Sequence, residues 1–280
     1  MLEALASLYP PGSADDWDRV GLVTGDPADL VRRIHFAVDP TLAVIGEAVA
    51  AGADLLVTHH PLLLRGVHAL PMTTAKGASV TALIRGKVAL YVAHTNADKA
   101  DPGVCDALAA ACGLTEAQPL FTEHGFGVGR VGTLETGGGM TLRGFAARLT
   151  EALPKTVGGV RVCGPPDARV ERVAVVGGAG DGFFDAVRAS GADVYVTADL
   201  RHHPALEARE EARGGTPYLI DAGHWATESL WLPSARRELF RVLAERRGAA
   251  TTVETYISGL RTEPWTFVLG ANAAADAEED

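Results

Sequence analysis

The sequence predicts an α/β fold of two related lobes, each built on βαβ units, with a metal site in the cleft between them. Three observations carry that expectation. Short apolar runs alternate with segments of helical period, and one such pattern occurs twice in the chain. Polar clusters rich in histidine follow three of the apolar runs directly. Open α/β sheets bind their ligands beyond the carboxyl ends of the strands.

The first copy of the pattern opens with Ile34-His35-Phe36-Ala37-Val38, an apolar run of strand length. Leu42, Val44, Ile45, Ala48 and Val49 then follow a helical spacing. Gly52 suits the left-handed cap that ends such a helix, and Leu55-Leu56-Val57 is the next buried strand. The second copy runs from the strand Val173 to Val176 into a helix marked by Phe183, Phe184, Ala186 and Val187. Ser190-Gly191-Ala192-Asp193 caps that helix, and Val194 to Thr197 is the strand after it. Gly52-Ala53-Asp54 thus answers Gly191-Ala192-Asp193, and Val57-Thr58 answers Val196-Thr197. The next strands pair off too, Leu90-Tyr91-Val92 ahead of His94 and Pro217 to Ile220 ahead of His224. Chance likeness of short βαβ units is the competing explanation. Lobe 1 is expected over residues 1–125 and lobe 2 over 126–270, with 271–280 a disordered tail rich in alanine and acid.

Composition excludes several classes. A formal charge of −10, from 25 basic and 35 acidic residues, argues against a nucleic-acid surface and leaves no polybasic segment for a membrane. No apolar stretch approaches the ~18 residues of a membrane span, and no signal peptide is visible, so a cytoplasmic protein is expected. Cys105, Cys112 and Cys163 lack Cys-x-x-Cys spacing, and their odd number argues against a disulfide framework. Cys105 and Cys112 read as small buried residues on one helix.

The histidines carry the chemistry. Thr58-His59-His60-Pro61 sits where the strand Leu55–Val57 ends, where two neighbouring imidazoles can turn into one cavity. Such a pair suits zinc, iron or manganese; ordinary loop histidines are the alternative. His224 and Glu228 stand four residues apart, on one face if a helix begins there, roughly 6 Å apart along its axis. A solvated helical face is the plainer account. Ala93-His94-Thr95-Asn96-Ala97-Asp98 also follows a strand, and Asn96 or Asp98 could simply cap a helix start. If the halves face each other, His59, His60 and Asp98 meet His224 and Glu228. Three imidazoles and two carboxylates suit two divalent ions sharing a bridging carboxylate and an activated water.

These residues carry a resemblance that spans nearly the whole chain. Trp17-Asp18-Arg19-Val20-Gly21-Leu22, Thr58-His59-His60-Pro61, His94-Thr95-Asn96-Ala97-Asp98, Gly127-Val128-Gly129-Arg130-Val131-Gly132 and Asp221-Ala222-Gly223-His224 with Glu228 resemble the Nif-three-like family, also called GTP cyclohydrolase I type 2 homologues or dinuclear metal centre proteins. The resemblance implies that His59, His60, Asp98, His224 and Glu228 hold two metal ions (zinc, iron, manganese or nickel), with Glu228 bridging. It implies a homohexamer, and hydrolysis of a nucleotide or related small molecule, with Glu228 and His94 as the catalytic residues. It also implies a short form without the domain inserted mid-chain in longer members. A non-catalytic metal-handling protein or oligomeric scaffold is the competing class. Two positions depart from the family pattern, Arg19 and Ala198-Asp199, and neither is expected to touch the five ligands.

Outside those five, Thr58, His94, Asn96 and Asp221 are expected to orient ligands, and His203 is a candidate for proton transfer. Gly177-Gly178-Ala179-Gly180-Asp181-Gly182 could cradle a phosphate with its backbone amides or be a permissive tight turn. Arg130 could clamp a phosphate or rim a strand.

Overall fold

The computed structural model describes residues 1–135, 138–247 and 252–270; the expected tail, 271–280, lies outside them. Two sheets organise the chain. Each has a core of three parallel strands taken in sequence order: Arg33–Ala37, Leu55–Thr58 and Ala89–Val92 in the first, Arg172–Ala179, Val194–Ala198 and Tyr218–Asp221 in the second. An antiparallel strand flanks the third member each time, Gly21–Thr24 on Ala89–Val92 and Arg161–Cys163 on Tyr218–Asp221.

The repeat is repeated in its hydrogen bonds. Asp54 Oδ2 accepts from the amides of Arg32 and Arg33, at 2.7 and 2.8 Å. Asp193 Oδ2 accepts from those of Glu171 and Arg172, at 2.9 and 2.8 Å. Each aspartate closes the entry to a first strand with the side chain of the residue that precedes the second. Gly52 and Gly191, at φ +65° and +68°, supply the left-handed turn just before it. Sheet membership does not follow a single cut near residue 125, however. Leu114–Gln118 pairs into the second sheet, and Glu254–Ile257 returns to the first beside Arg33–Ala37.

Parallel strands are covered on both faces and therefore read as continuous apolar runs. Ile34, Phe36, Leu55 and Val57 face Tyr9, Trp231 and Leu239, whereas Leu56, Leu90 and Val92 face Val44, Ile45 and Leu83. In the second sheet Val173, Val175, Val194 and Val196 pack on Phe145 and Leu149, and Ala174, Val176 and Tyr195 pack on Phe184 and Val187. Cys105 and Cys112 are buried along the helix Val104–Ala111 and its cap, and Cys163 is exposed. Among the described residues no helix is long and apolar enough to cross a membrane.

Because Asp54 and Asp193 do the same work in different sheets, Asp54→Ala and Asp193→Ala should each cost about 0.5–1.5 kcal/mol, by exchanging the carboxylate acceptor of two partly exposed amides for water. The losses should add in the double variant; urea unfolding measures all three.

Candidate metal centre

The sheets turn their strand ends toward each other, and four imidazoles and two carboxylates gather there. His59 and His60 follow Leu55–Thr58, and His94 follows Ala89–Val92 and precedes the short helix Thr95–Asp98. His224 and Glu228 lie one turn apart on the helix His224–Ser229, after Tyr218–Asp221. All five sequence-predicted ligands and His94 therefore converge. One ligand atom each from His60, His224 and Glu228 lie within 4.8 Å of one another, and so do those of His59, His60 and His94. Asp98 joins through His59, its Oδ1 lying 3.6 Å from His59 Nε2.

Glu228 is the hub. It is 3 % exposed; Oε1 lies 2.9 Å from His224 Nε2 and 3.4 Å from His59 Nε2, and Oε2 lies 3.0 Å from His60 Nε2. Every imidazole is held by its other nitrogen. Nδ1 of His59 meets the Ala93 carbonyl at 2.9 Å, Nδ1 of His60 meets Asp39 at 2.6 Å, Nδ1 of His94 meets Asp18 at 2.9 Å, and Nδ1 of His224 meets Asp199 at 2.8 Å. An Nδ1–H donated in this way fixes the tautomer and leaves Nε2 as the free ligand atom, the arrangement that metal-binding histidines adopt.

Charge follows geometry. Burial works against the imidazolium of His60, but the charge of Glu228 and the hydrogen bond to Asp39 outweigh it and push the group up to about 10. His224 rises to about 11 against the same burial, through Asp199 and Glu228. His59 is raised as well. Glu228, opposed by burial and favoured by the imidazoles, is held well below the usual carboxylate range, whereas burial pushes Asp98 up. Protons and a divalent cation thus compete for the same nitrogens.

The donor set fits a metal. His59 Nε2, Asp98 Oδ1 and Glu228 Oε2 are buried with no hydrogen-bond partner; their close approaches lack hydrogen-bond alignment. Buried polar atoms without partners are costly, and a cation bound by imidazole and carboxylate satisfies all three together.

Glycine lets the second half pack its first strand this closely against Glu228 and His224. Gly178, at φ +65°, lies against Glu228: a Cβ there would collide with Glu228 Oε1 and come within 3.2 Å of His224 Nε2. The Gly178 amide donates to Thr227 Oγ1, and its carbonyl accepts from Thr197 Oγ1, both at 3.0 Å. A Cβ at Gly180 would strike Tyr195 and Thr197, and the Gly180 amide donates to Ala198. The glycine run is therefore a packing turn, not a phosphate cradle. Arg130 is no phosphate clamp either. It is buried, with Nε and Nη2 on the two oxygens of Asp106 at 2.6 and 2.7 Å and a further bond to the Ala100 carbonyl.

Sequence reasoning missed Asp18, Asp39 and Asp199. Asp199 corrects the expectation that Ala198-Asp199 stands clear of the ligands, since it holds His224 directly. The amide of Arg19, the other departure, donates to Asp18 Oδ1 at 2.7 Å. Thr58 and Asn96 touch the backbones of His60 and His94. Asp221 instead takes Arg161 and the Leu200 amide. His202 and His203 are exposed, with rings 5.2 Å apart, and line neither cavity beside the centre.

Comparison with known proteins identifies the family and the fold. Residues 1–264 match the family Duf34/NIF3 (NGG1p interacting factor 3). The chain belongs to the Duf34/NIF3 family. A relative from Streptomyces coelicolor named "GTP cyclohydrolase 1 type 2 homolog" is 47% identical over 269 residues, 95% of this chain and 92% of the relative. A Mycobacterium tuberculosis relative of the same name is 35% identical over 374 positions, covering 95% of this chain and 96% of its own. That alignment is longer than this 280-residue Duf34/NIF3 chain, so the mycobacterial protein carries segments absent here. Among solved structures, a hypothetical protein of Staphylococcus aureus superposes with a TM-score of 0.86 at 26% identity, over 95% of this chain and 97% of that one. A Bacillus cereus protein related to NIF3 shares the fold at 24% identity, with a TM-score of 0.85 over 95% of this chain and 97% of that one.

Gly178→Ala should displace Glu228 and weaken divalent-metal binding by roughly 10–100-fold, the range seen when a ligand's support is lost. Gly182→Ala, where a Cβ meets open space, is the control that should leave it unchanged; calorimetric titration with zinc compares them.

Proposed function

We propose that this Duf34/NIF3 chain is a dinuclear metal-dependent hydrolase acting on a nucleotide or related small molecule. His59, His60, Asp98, His224 and Glu228 would hold the two ions in this reading, with Glu228 as their shared carboxylate. The observation that carries it is the buried carboxylate within 3.4 Å of three imidazole Nε2 atoms, with Glu228 Oε2, His59 Nε2 and Asp98 Oδ1 left without hydrogen bonds. Relatives named GTP cyclohydrolase 1 type 2 homologs make ring-opening hydrolysis the specific candidate.

A bound divalent pair supplies Lewis acidity and lowers the pKa of water at the site. The chain's own groups do the rest. Glu228 offers one oxygen to each side of the centre. His94, fixed by Asp18 and facing a cavity, can hold and return a proton at Nε2. Asp39 and Asp199 keep His60 and His224 turned inward. Thr262 donates in turn to Asp39 and ties the C-terminal segment to the site.

A cytoplasmic homohexamer completes the proposal. Support for assembly comes from Trp265, Phe267, Val268 and Leu269, exposed together near the end of the described chain. Light scattering on the purified protein measures the stoichiometry.

Protein purified without chelator should carry about two metal ions per chain, and His59→Ala and Glu228→Ala should lose most of them while keeping a native circular dichroism spectrum. Hydrolysis of a nucleotide panel should disappear in Glu228→Ala and His60→Ala. Full turnover by metal-free protein would sink the mechanism; loaded protein without turnover on any substrate would favour a metal-handling role.

A further inference from the structure

Two cavities meet at His224. The one on the imidazole face, about 770 Å³, presents Asp39, Asp199, Asp221 and Glu263. Its arginine, Arg161, is engaged by Asp221 at 2.5 Å. The other, about 620 Å³, is lined by His94, Asp98 and Glu228 together with Trp17, Phe126 and Phe183. Its other titratable side chains are Asp15, Asp16, Glu123, Lys99, His124 and His224. The Lys99 ammonium is shared between Asp15 and Glu123, 2.8 Å from the latter. Among the described residues no arginine lines this second cavity.

A polyphosphate is recognised by guanidinium forks, free ammonium groups or a run of unspent backbone amides. The groups of each kind nearest the centre are already engaged. Arg130 is locked on Asp106, Lys99 on two carboxylates, and the amides of Gly178 and Gly180 on Thr227 and Ala198. Asp18, Asp39 and Asp199 add three carboxylates immediately behind the imidazoles, so two divalent ions would be largely neutralised by the protein itself. What the wall offers besides is aromatic surface from Trp17, Phe126 and Phe183, which gains most from a flat ring.

We propose that the cavity walled by Trp17, Phe126 and Phe183 takes an uncharged planar heterocycle of nucleobase or nucleoside size, and that it selects against nucleoside polyphosphates. The inference rests on the metal-hydrolase proposal and narrows its substrate from nucleotides to the related uncharged base or nucleoside. The ring lies against the aromatic walls and turns one polar edge to His94 and the metal-binding carboxylates. Glu123 and Asp16 at the rim exclude the phosphate chain.

Calorimetry on zinc-loaded protein in magnesium-free buffer of low ionic strength tests this with guanosine, adenosine, cytidine and GTP. At least one nucleoside should bind, and guanosine should bind at least 10-fold more tightly than GTP. Phe183→Ala should weaken nucleoside binding about 10-fold, as loss of a stacking partner does, without changing metal content. Glu123→Gln, which releases half the hold on Lys99, should raise GTP affinity several-fold and leave guanosine unaffected. GTP binding as tightly as guanosine overturns the inference, as does the absence of saturable binding by all three nucleosides. Unchanged affinity in Phe183→Ala overturns the choice of cavity. Zinc content of the same sample is read in parallel. A chain that takes up no zinc fails the metal-centre proposal itself, whereas a loaded chain that prefers GTP fails only this inference.

Discussion

A carboxylate almost shut off from water, Glu228, sets the terms for everything around it. An uncompensated buried charge costs several kcal/mol, so positive or donor groups must surround it, and they come from both sheets. His59 and His60 reach it from one, and His224 from its own helix. That demand explains why the strand ends face one another. It also explains why Gly178 has no side chain, and why each imidazole is anchored at Nδ1 so that its Nε2 points inward. Asp18, Asp39 and Asp199 support the imidazoles, which in turn support Glu228. The halves are tied together at this centre by contacts as short as 3.0 Å, between His60 Nε2 and Glu228 Oε2.

Much of this was legible in the chain. Parallel strands advertise themselves because both faces are buried, so Leu55-Leu56-Val57 and Val194-Tyr195-Val196 could not be missed. The repeat was visible at Gly52-Ala53-Asp54 and Gly191-Ala192-Asp193 because a left-handed turn and a two-amide acceptor have few other solutions. The histidine pair and the His224–Glu228 spacing stood out because ligand residues cluster in sequence when they share a strand end or a helical face.

The supporting carboxylates were not legible, since a lone aspartate in a polar loop looks like any solvated acid. Two of them had a signal nonetheless. Asp39 and Asp199 each fall just beyond the first or second strand of a repeat, the same address that marks the histidines. Arg130 and the glycine run misled for the opposite reason. Their residue types suit phosphate, and only the tertiary partners Asp106, Thr227 and Ala198 show them already occupied. Asp18 lies before its strand and reaches His94 across the chain, a relation that no local pattern encodes.

The repeat has a consequence of its own. Thr58-His59-His60 and Thr197-Ala198-Asp199 occupy matching ends of matching strands, yet one end supplies an electron-pair donor and the other the counter-charge that steadies a donor. A strictly symmetric pair would set like against like, two bases or two acids across one axis. Divergence at a single address broke that degeneracy, so the halves act as lock and key to each other. Transplanting either strand end into its twin would abolish the difference on which the centre depends.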